Sequence, residues 1–104
     1  MRYQQTQELL QLLEFQLISQ NLWAETAPSA AALASTAPFA CDTLPFEQWL
    51  QFIFMPKMQQ LIAAQAALPS NIAIAPMAQY VWAEQPEREA IVLILEQVDA
   101  LLSR

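Results

Sequence analysis

PFACDTLPFEQWLQFIFMPKM, residues 38–58, decides how this chain is to be read. Four of the five phenylalanines, three of the seven prolines, the only lysine and the only cysteine fall inside it, so core and joints are concentrated together. Pro45 opens a helix as a first-turn residue, where its missing N–H is no loss. Glu47 follows in the same turn, where the positive end of the helix dipole favours a carboxylate. Phe46, Trp49, Leu50, Ile53, Phe54 and Leu61 then lie on one broad apolar arc. Pro56 interrupts that arc. A proline there deletes an i→i−4 hydrogen bond and collides with the preceding turn, which predicts a kink or a restart before the helix runs on to about residue 66.

Outward from this centre, residues 3–23 read as a first helix. Leu9, Leu10, Leu13 and Leu17 share one face, with Leu12 and Trp23 on its flank. Phe15, Ile18 and Leu22 form a second stripe on the opposite side. The expected cover for that stripe is the 25–44 segment folding back over it; the alternative is a homodimer through Phe15, Ile18 and Leu22. Residues 25–44 are a long loop, with one helical turn capped by Ser29 and an aromatic pin at Phe39. Residues 68–75 are a connector, because Ile72 and Ile74 alternate but have no partner strand. A short third helix opens at Pro76 and runs to about residue 84. The fourth runs over 86–102, burying Ile91, Ile94, Leu95, Val98, Leu101 and Leu102, with Glu89, Glu96, Asp99 and Ser103 outward. The pattern predicts an all-α protein, a single domain over 1–104. It is an up-and-down four-helix bundle with a long loop between the first two helices and a proline-interrupted second helix.

Composition excludes more than it assigns. The net charge is −6, and the four cations Arg2, Lys57, Arg88 and Arg104 are scattered. Direct nucleic-acid binding needs clustered cations, and an acidic chain is not drawn to anionic membranes. The longest apolar run, residues 90–95, is far short of the ~20 residues a span requires. The N-terminus carries no leader pattern and one cysteine makes no internal disulfide, so the cytoplasm is expected. The chain has no histidine and no glycine. The commonest general base, the commonest metal ligand and any Gly-rich phosphate loop are therefore missing, and no cofactor or metal is expected. The carboxylates cluster at helix starts, where dipole and capping roles are commoner than catalysis. The chain is poorly equipped as an enzyme.

Asp42 and Thr43 precede the second helix, and capping of its free N–H groups is their favoured reading. Lys57 falls by angle within the apolar arc of Phe46, Leu50 and Ile53, unless the Pro56 joint turns it away; its stem then covers apolar surface while the amine reaches water. Cys41, beside Asp42, reads as a small filler and not as a reactive thiolate. Trp49, Trp82, Tyr80, Met55, Met58 and Met77 read as core, with a ligand pocket as the alternative.

The run PFxCDTL with Glu47, Trp49-Leu50-Gln51, then Pro56-Lys57-Met58, Leu68-Pro69 and IAIAPMA (72–78), resembles the bacterial YqcC-like family. The resemblance is close over residues 36–82 and extends to the terminal helices by length and pattern. It implies a small cytosolic helical bundle. It also implies a link to tRNA modification, since family members are often encoded beside a tRNA pseudouridine synthase of the TruC type. It brings no catalytic residues.

Two uses follow. The first is a protein-interaction or accessory module, docking on a partner such as a tRNA-modifying enzyme through a groove between the 36–45 loop and the third helix. Phe39, Asp42, Thr43, Met77 and Tyr80 would be its contacts, because loops carry function more often than cores do. The alternative is a small-molecule pocket or weak enzyme using Asp42, Glu47 and Lys57 between aromatic walls such as Trp49.

Overall fold

Leu10, Leu13 and Leu17 recur on one side of helix α1 (Arg2–Ser19) and are essentially inaccessible, as is Thr6 one turn earlier. In the computed structural model, which describes residues 2–70 and 72–103, this stripe is one wall of the core. Asn71, in the expected connector, and Arg104, among the expected cations, lie outside the described residues. The all-α expectation holds. The four expected helices are α1, α3 (46–63), α4 (Ala75–Val81) and α5 (Glu89–Leu102), and the turn capped by Ser29 is α2 (Ala30–Leu33). A 3₁₀ turn, Pro86–Arg88, leads into α5. α1 packs chiefly against α5 and less extensively against α3, while α4 packs on α5.

α1 stops at Ser19, short of the expected residue 23. Asn21 adopts φ 60°, the Leu22 N–H bonds back to the Leu17 carbonyl at 2.8 Å, and the Asn21 N–H reaches Ile18 at 3.1 Å. These two bonds make a Schellman stop with asparagine where glycine is usual. The end of α3 repeats it. Gln65 sits at φ 53°, with Ala66 N–H to Leu61 at 2.9 Å and Gln65 N–H to Ile62 at 3.1 Å. A chain without glycine thus closes two helices with left-handed side-chain-bearing residues, each strained by ~1 kcal/mol. Gln65→Gly is accordingly expected to stabilise the fold by about 1 kcal/mol, read as a raised urea midpoint at unchanged slope.

α3 answers the question set by Pro56. The helix neither breaks nor restarts: α-helical Phe46–Trp49 passes into a π-helical turn, Leu50–Phe54, and then into α-helical Met55–Ala63. Trp49, Leu50, Phe54 and Met55 all keep right-handed helical dihedrals across the joints. The Met55 N–H bonds to the Leu50 carbonyl, five residues back. Widening the turn by one residue relieves the collision between the Pro56 ring and the preceding turn. It also advances the buried face by one position. Met55 and Met58 are buried, Gln51 is buried with them, and Lys57 is turned out to solvent.

The core joins these stripes to Ile74, Ala75, Ala78 and Trp82 and to the α5 row Ile91, Ile94, Leu95, Val98 and Leu102. Four side-chain bonds hold the ends. The Tyr3 hydroxyl donates to the Ala66 carbonyl at 2.7 Å, Arg88 Nη1 donates to Gln20 Oε1 at 2.7 Å, and Gln51 brackets Ala24. Among the described residues two buried side-chain groups lack a hydrogen-bond partner, Arg88 Nε and the Thr6 hydroxyl. Thr6→Val removes that group at constant shape and is expected to raise stability by about 1 kcal/mol, measurable by thermal melting.

Candidate functional site

The 30–44 loop is built by its own side chains. Phe39 turns inward from a left-handed backbone (φ 57°) and its ring meets Trp49 edge-on at 4.8 Å and Phe46 at 6.0 Å. The cluster continues through Phe46 to Trp82 at 5.2 Å and through Trp49 to Phe54 at 5.6 Å. Phe39 is thus the expected pin, with edge-to-face contacts each contributing ~1 kcal/mol beyond area burial.

Asp42 and Thr43 do not cap α3. The Ser35 hydroxyl donates to Asp42 Oδ1 at 2.5 Å, and the Thr43 hydroxyl donates to the Ala32 carbonyl at 2.8 Å. Pro45 holds the N-cap position with no side-chain cap bond. The physical reason is competition. Both side chains find partners within their own loop, where they close it on α2, before they reach the N–H groups of α3.

Phe39 separates two grooves. One, of about 290 Å³, runs between the loop and α4 and is lined by Phe39, Leu44, Pro45, Met77, Tyr80 and Val81, with exposed Cys41 at its edge. This groove brings Phe39, Met77 and Tyr80 together. Tyr80, read from the sequence as core, is instead 80% exposed, because it sits on the outer side of the short α4. The other, of about 310 Å³, is lined by Trp49, Ile53, Phe54, Lys57 and Met58 and, from the connector, by Pro69, Ile72, Ala73 and Ile74. Lys57 is the one charged side chain in its wall. Asp42 and Glu47 line neither groove, so the Asp42–Glu47–Lys57 pocket is not assembled. Among the described residues, no three of Cys, Asp and Glu gather where a metal ion would fit. Among the same described residues, no helix is long and apolar enough to cross a membrane.

A second surface lies on the far side of the molecule's α1–α5 pair. Leu12, Phe15 and Ile18 are 51, 63 and 51% exposed, and Leu93 of α5 is 49% exposed. The 25–44 segment therefore does not cover the outer stripe of α1, contrary to expectation. Gln51 accepts from the Ala24 N–H and donates to the Ala24 carbonyl, both at 2.8 Å, and this draws the chain after α1 toward α3. Leu22, the third member of the expected stripe, packs against the core instead.

Sequence reasoning missed two residues that position these surfaces. Gln51 is one. The other is Asp99, expected on the outer face of α5, whose carboxylate accepts from the Ile74 N–H at 3.0 Å and the Ala75 N–H at 2.8 Å. It caps α4 from another helix, and no local pattern announces a cap twenty-four residues away.

The arrangement is that of a helical module with two apolar grooves. The DUF446 family model, described as tRNA pseudouridine synthase C, matches residues 5–101. An uncharacterised protein of Haemophilus influenzae is 36% identical over 97 residues, covering 93% of this chain and 92% of its own length. YqcC of Escherichia coli K12 is 35% identical over 95 residues, covering 90% of this chain and 87% of its own. The solution NMR structure of E. coli YqcC superposes with a TM-score of 0.87 at 31% identity, covering 97% of this chain and 87% of that one. A Pectobacterium carotovorum protein named tRNA pseudouridine synthase C is 36% identical over 70 residues, which are 67% of this chain but 19% of that protein. The chain belongs to the DUF446, YqcC-like family.

Proposed function

We propose that this protein is a non-catalytic accessory module that docks on a tRNA pseudouridine synthase and acts on tRNA through it. The observation that carries this reading is the Pectobacterium protein named for that synthase, 19% of whose length is similar to this chain. Two modules joined in one polypeptide meet at high effective concentration, so even a weak contact between them is kept. A separate chain needs a docking surface of its own to do the same. The net charge of −6 agrees with a partner that is itself basic, as an RNA-handling protein tends to be, and disfavours independent RNA contact.

The test mixes the purified chain with the tRNA pseudouridine synthase C of its own host. Calorimetry is expected to show micromolar or tighter binding, and pseudouridine formation in tRNA at limiting enzyme is expected to rise when the chain is added. Absence of binding heat together with unchanged turnover removes the reading.

A further inference from the structure

We infer that the outer α1–α5 face docks an amphipathic helix of a basic partner. The inference rests on the accessory reading only in taking the occupant to be a protein; the chemistry of the face stands apart from which protein it is. Among the described residues, four of the five large apolar side chains that are about half exposed or more lie on these two helices: Leu12, Phe15, Ile18 and Leu93. Single exposed leucines are ordinary, but a contiguous row on one helix marks an interaction surface.

The geometry selects a helix. Leu12, Phe15 and Ile18 are one i±3 ridge, about 9 Å long at 1.5 Å rise per residue. Such a ridge fits the i±4 groove of another helix at a shallow crossing of roughly 20°. α1 and α5 run antiparallel, because Arg88 before α5 bonds Gln20 after α1, while Leu9 and Leu12 share a groove with Gln97, Ala100 and Leu101 near the other end. Leu93 lies on the side of α5 that carries Gln97 and Ala100, which places it beside the ridge and lengthens the apolar track.

The charges select the partner. Apart from Arg2 at the first position of α1, every charged residue of α1 and α5 is acidic: Glu8, Glu14, Glu89, Glu96 and Asp99. Glu8 lines the α1–α5 groove, Asp99 is committed to α4, and Arg88 is held by Gln20. A second copy of this chain would bring Glu8 and Glu14 against like charges, which disfavours self-association. Lysines or arginines flanking an apolar helix face meet them favourably. Tyr80 stands alone on its groove and offers no comparable row.

The experiment titrates the isotope-labelled chain with a short leucine/lysine amphipathic helix peptide and with its leucine/glutamate counterpart. Saturable NMR shifts confined to α1 and α5 around Phe15 and Leu93 are expected, with at least tenfold weaker binding of the glutamate peptide. The double variant Phe15→Gln/Leu93→Gln is expected to weaken the lysine peptide at least tenfold with its melting curve unchanged, whereas Tyr80→Ala leaves binding as it was. No saturable shift, or shifts mapping to the Tyr80 groove, overturns the inference. So does a dimer in sedimentation velocity that Phe15→Gln dissolves, since the face then belongs to a second copy. Repeating the double variant against the synthase separates the two ideas. Undiminished synthase binding without a saturable peptide shift overturns this face and keeps the accessory reading, whereas peptide binding without synthase binding does the reverse.

Discussion

Asp99→Ala is expected to lower stability by about 3 kcal/mol and the melting temperature by on the order of 15 °C. Its carboxylate accepts from the N–H groups of Ile74 and Ala75, and both residues are buried. Pro76 brings no N–H of its own, so these donors are the exposed end of the α4 peptide array, and the carboxylate also meets the positive end of that helix. Removing it leaves two buried donors unpaired, each costing ~1–3 kcal/mol. The position is otherwise a poor one for an acid. Asp99 lies in the last turns of α5, where the helix dipole disfavours negative charge, so α4 has to offset its own helix. Asp99→Asn keeps one acceptor and turns an amide N–H₂ toward the second donor, and should lose about half as much. Thermal melts by circular dichroism of the three proteins check the order. Equal melting temperatures for all three would mean that water satisfies these N–H groups as well as the carboxylate does.

How far the fold was legible follows from which residues act locally. The α5 face was fully readable, since six apolar residues at helical spacing need only the period, and all six are buried. The Ser29 turn and the Phe39 pin were readable for the same reason: a capping residue before an alanine run, and the one aromatic in a loop otherwise made mostly of small residues. On α3, Phe46, Leu50 and Phe54 of the apolar arc and the methionines Met55 and Met58 are buried as read. A period of 3.6 also carries Lys57 into that arc, but the π-helical turn ahead of Pro56 adds one residue and turns it out to solvent. Proline announces a disturbance; whether the chain kinks or widens depends on the packing around it. The two Schellman stops at Asn21 and Gln65 were hidden by the absence of glycine, although asparagine tolerates the left-handed region better than most residues. Of the candidate contacts, Phe39, Met77 and Tyr80 line one groove. Asp42 and Thr43 were assigned to the nearest helix start, whereas their partners, Ser35, Ala32 and Ala40, lie behind them in the chain.

The Trp49-Leu50-Gln51 run owes its glutamine to a backbone contact, and Gln51→Leu tests it. The side-chain amide copies a peptide group, accepting from the Ala24 N–H and donating to its carbonyl, both at 2.8 Å. Leucine has the volume but neither bond, and leaves two peptide groups of Ala24 to find partners in a half-buried site. A loss of about 2 kcal/mol is expected, with the melting temperature falling by on the order of 10 °C. Gln51→Glu should be no better, because a carboxylate replaces the donor and faces the Ala24 carbonyl. Hydrogen exchange separates this from general loosening. The amides of residues 22–26 should exchange faster relative to α5 in the variant than in the parent, as expected when one segment opens below the global unfolding energy. The same clamp explains why the outer row of α1 is bare. After Asn21 turns the chain, Gln51 holds Ala24 against α3, so the following loop is laid over the Phe39–Trp49 cluster and not over Phe15 and Ile18. In Gln51→Leu that direction is no longer enforced. The freed segment then competes for the α1 ridge, and exchange protection should spread onto residues 12–18 while it is lost from 22–26.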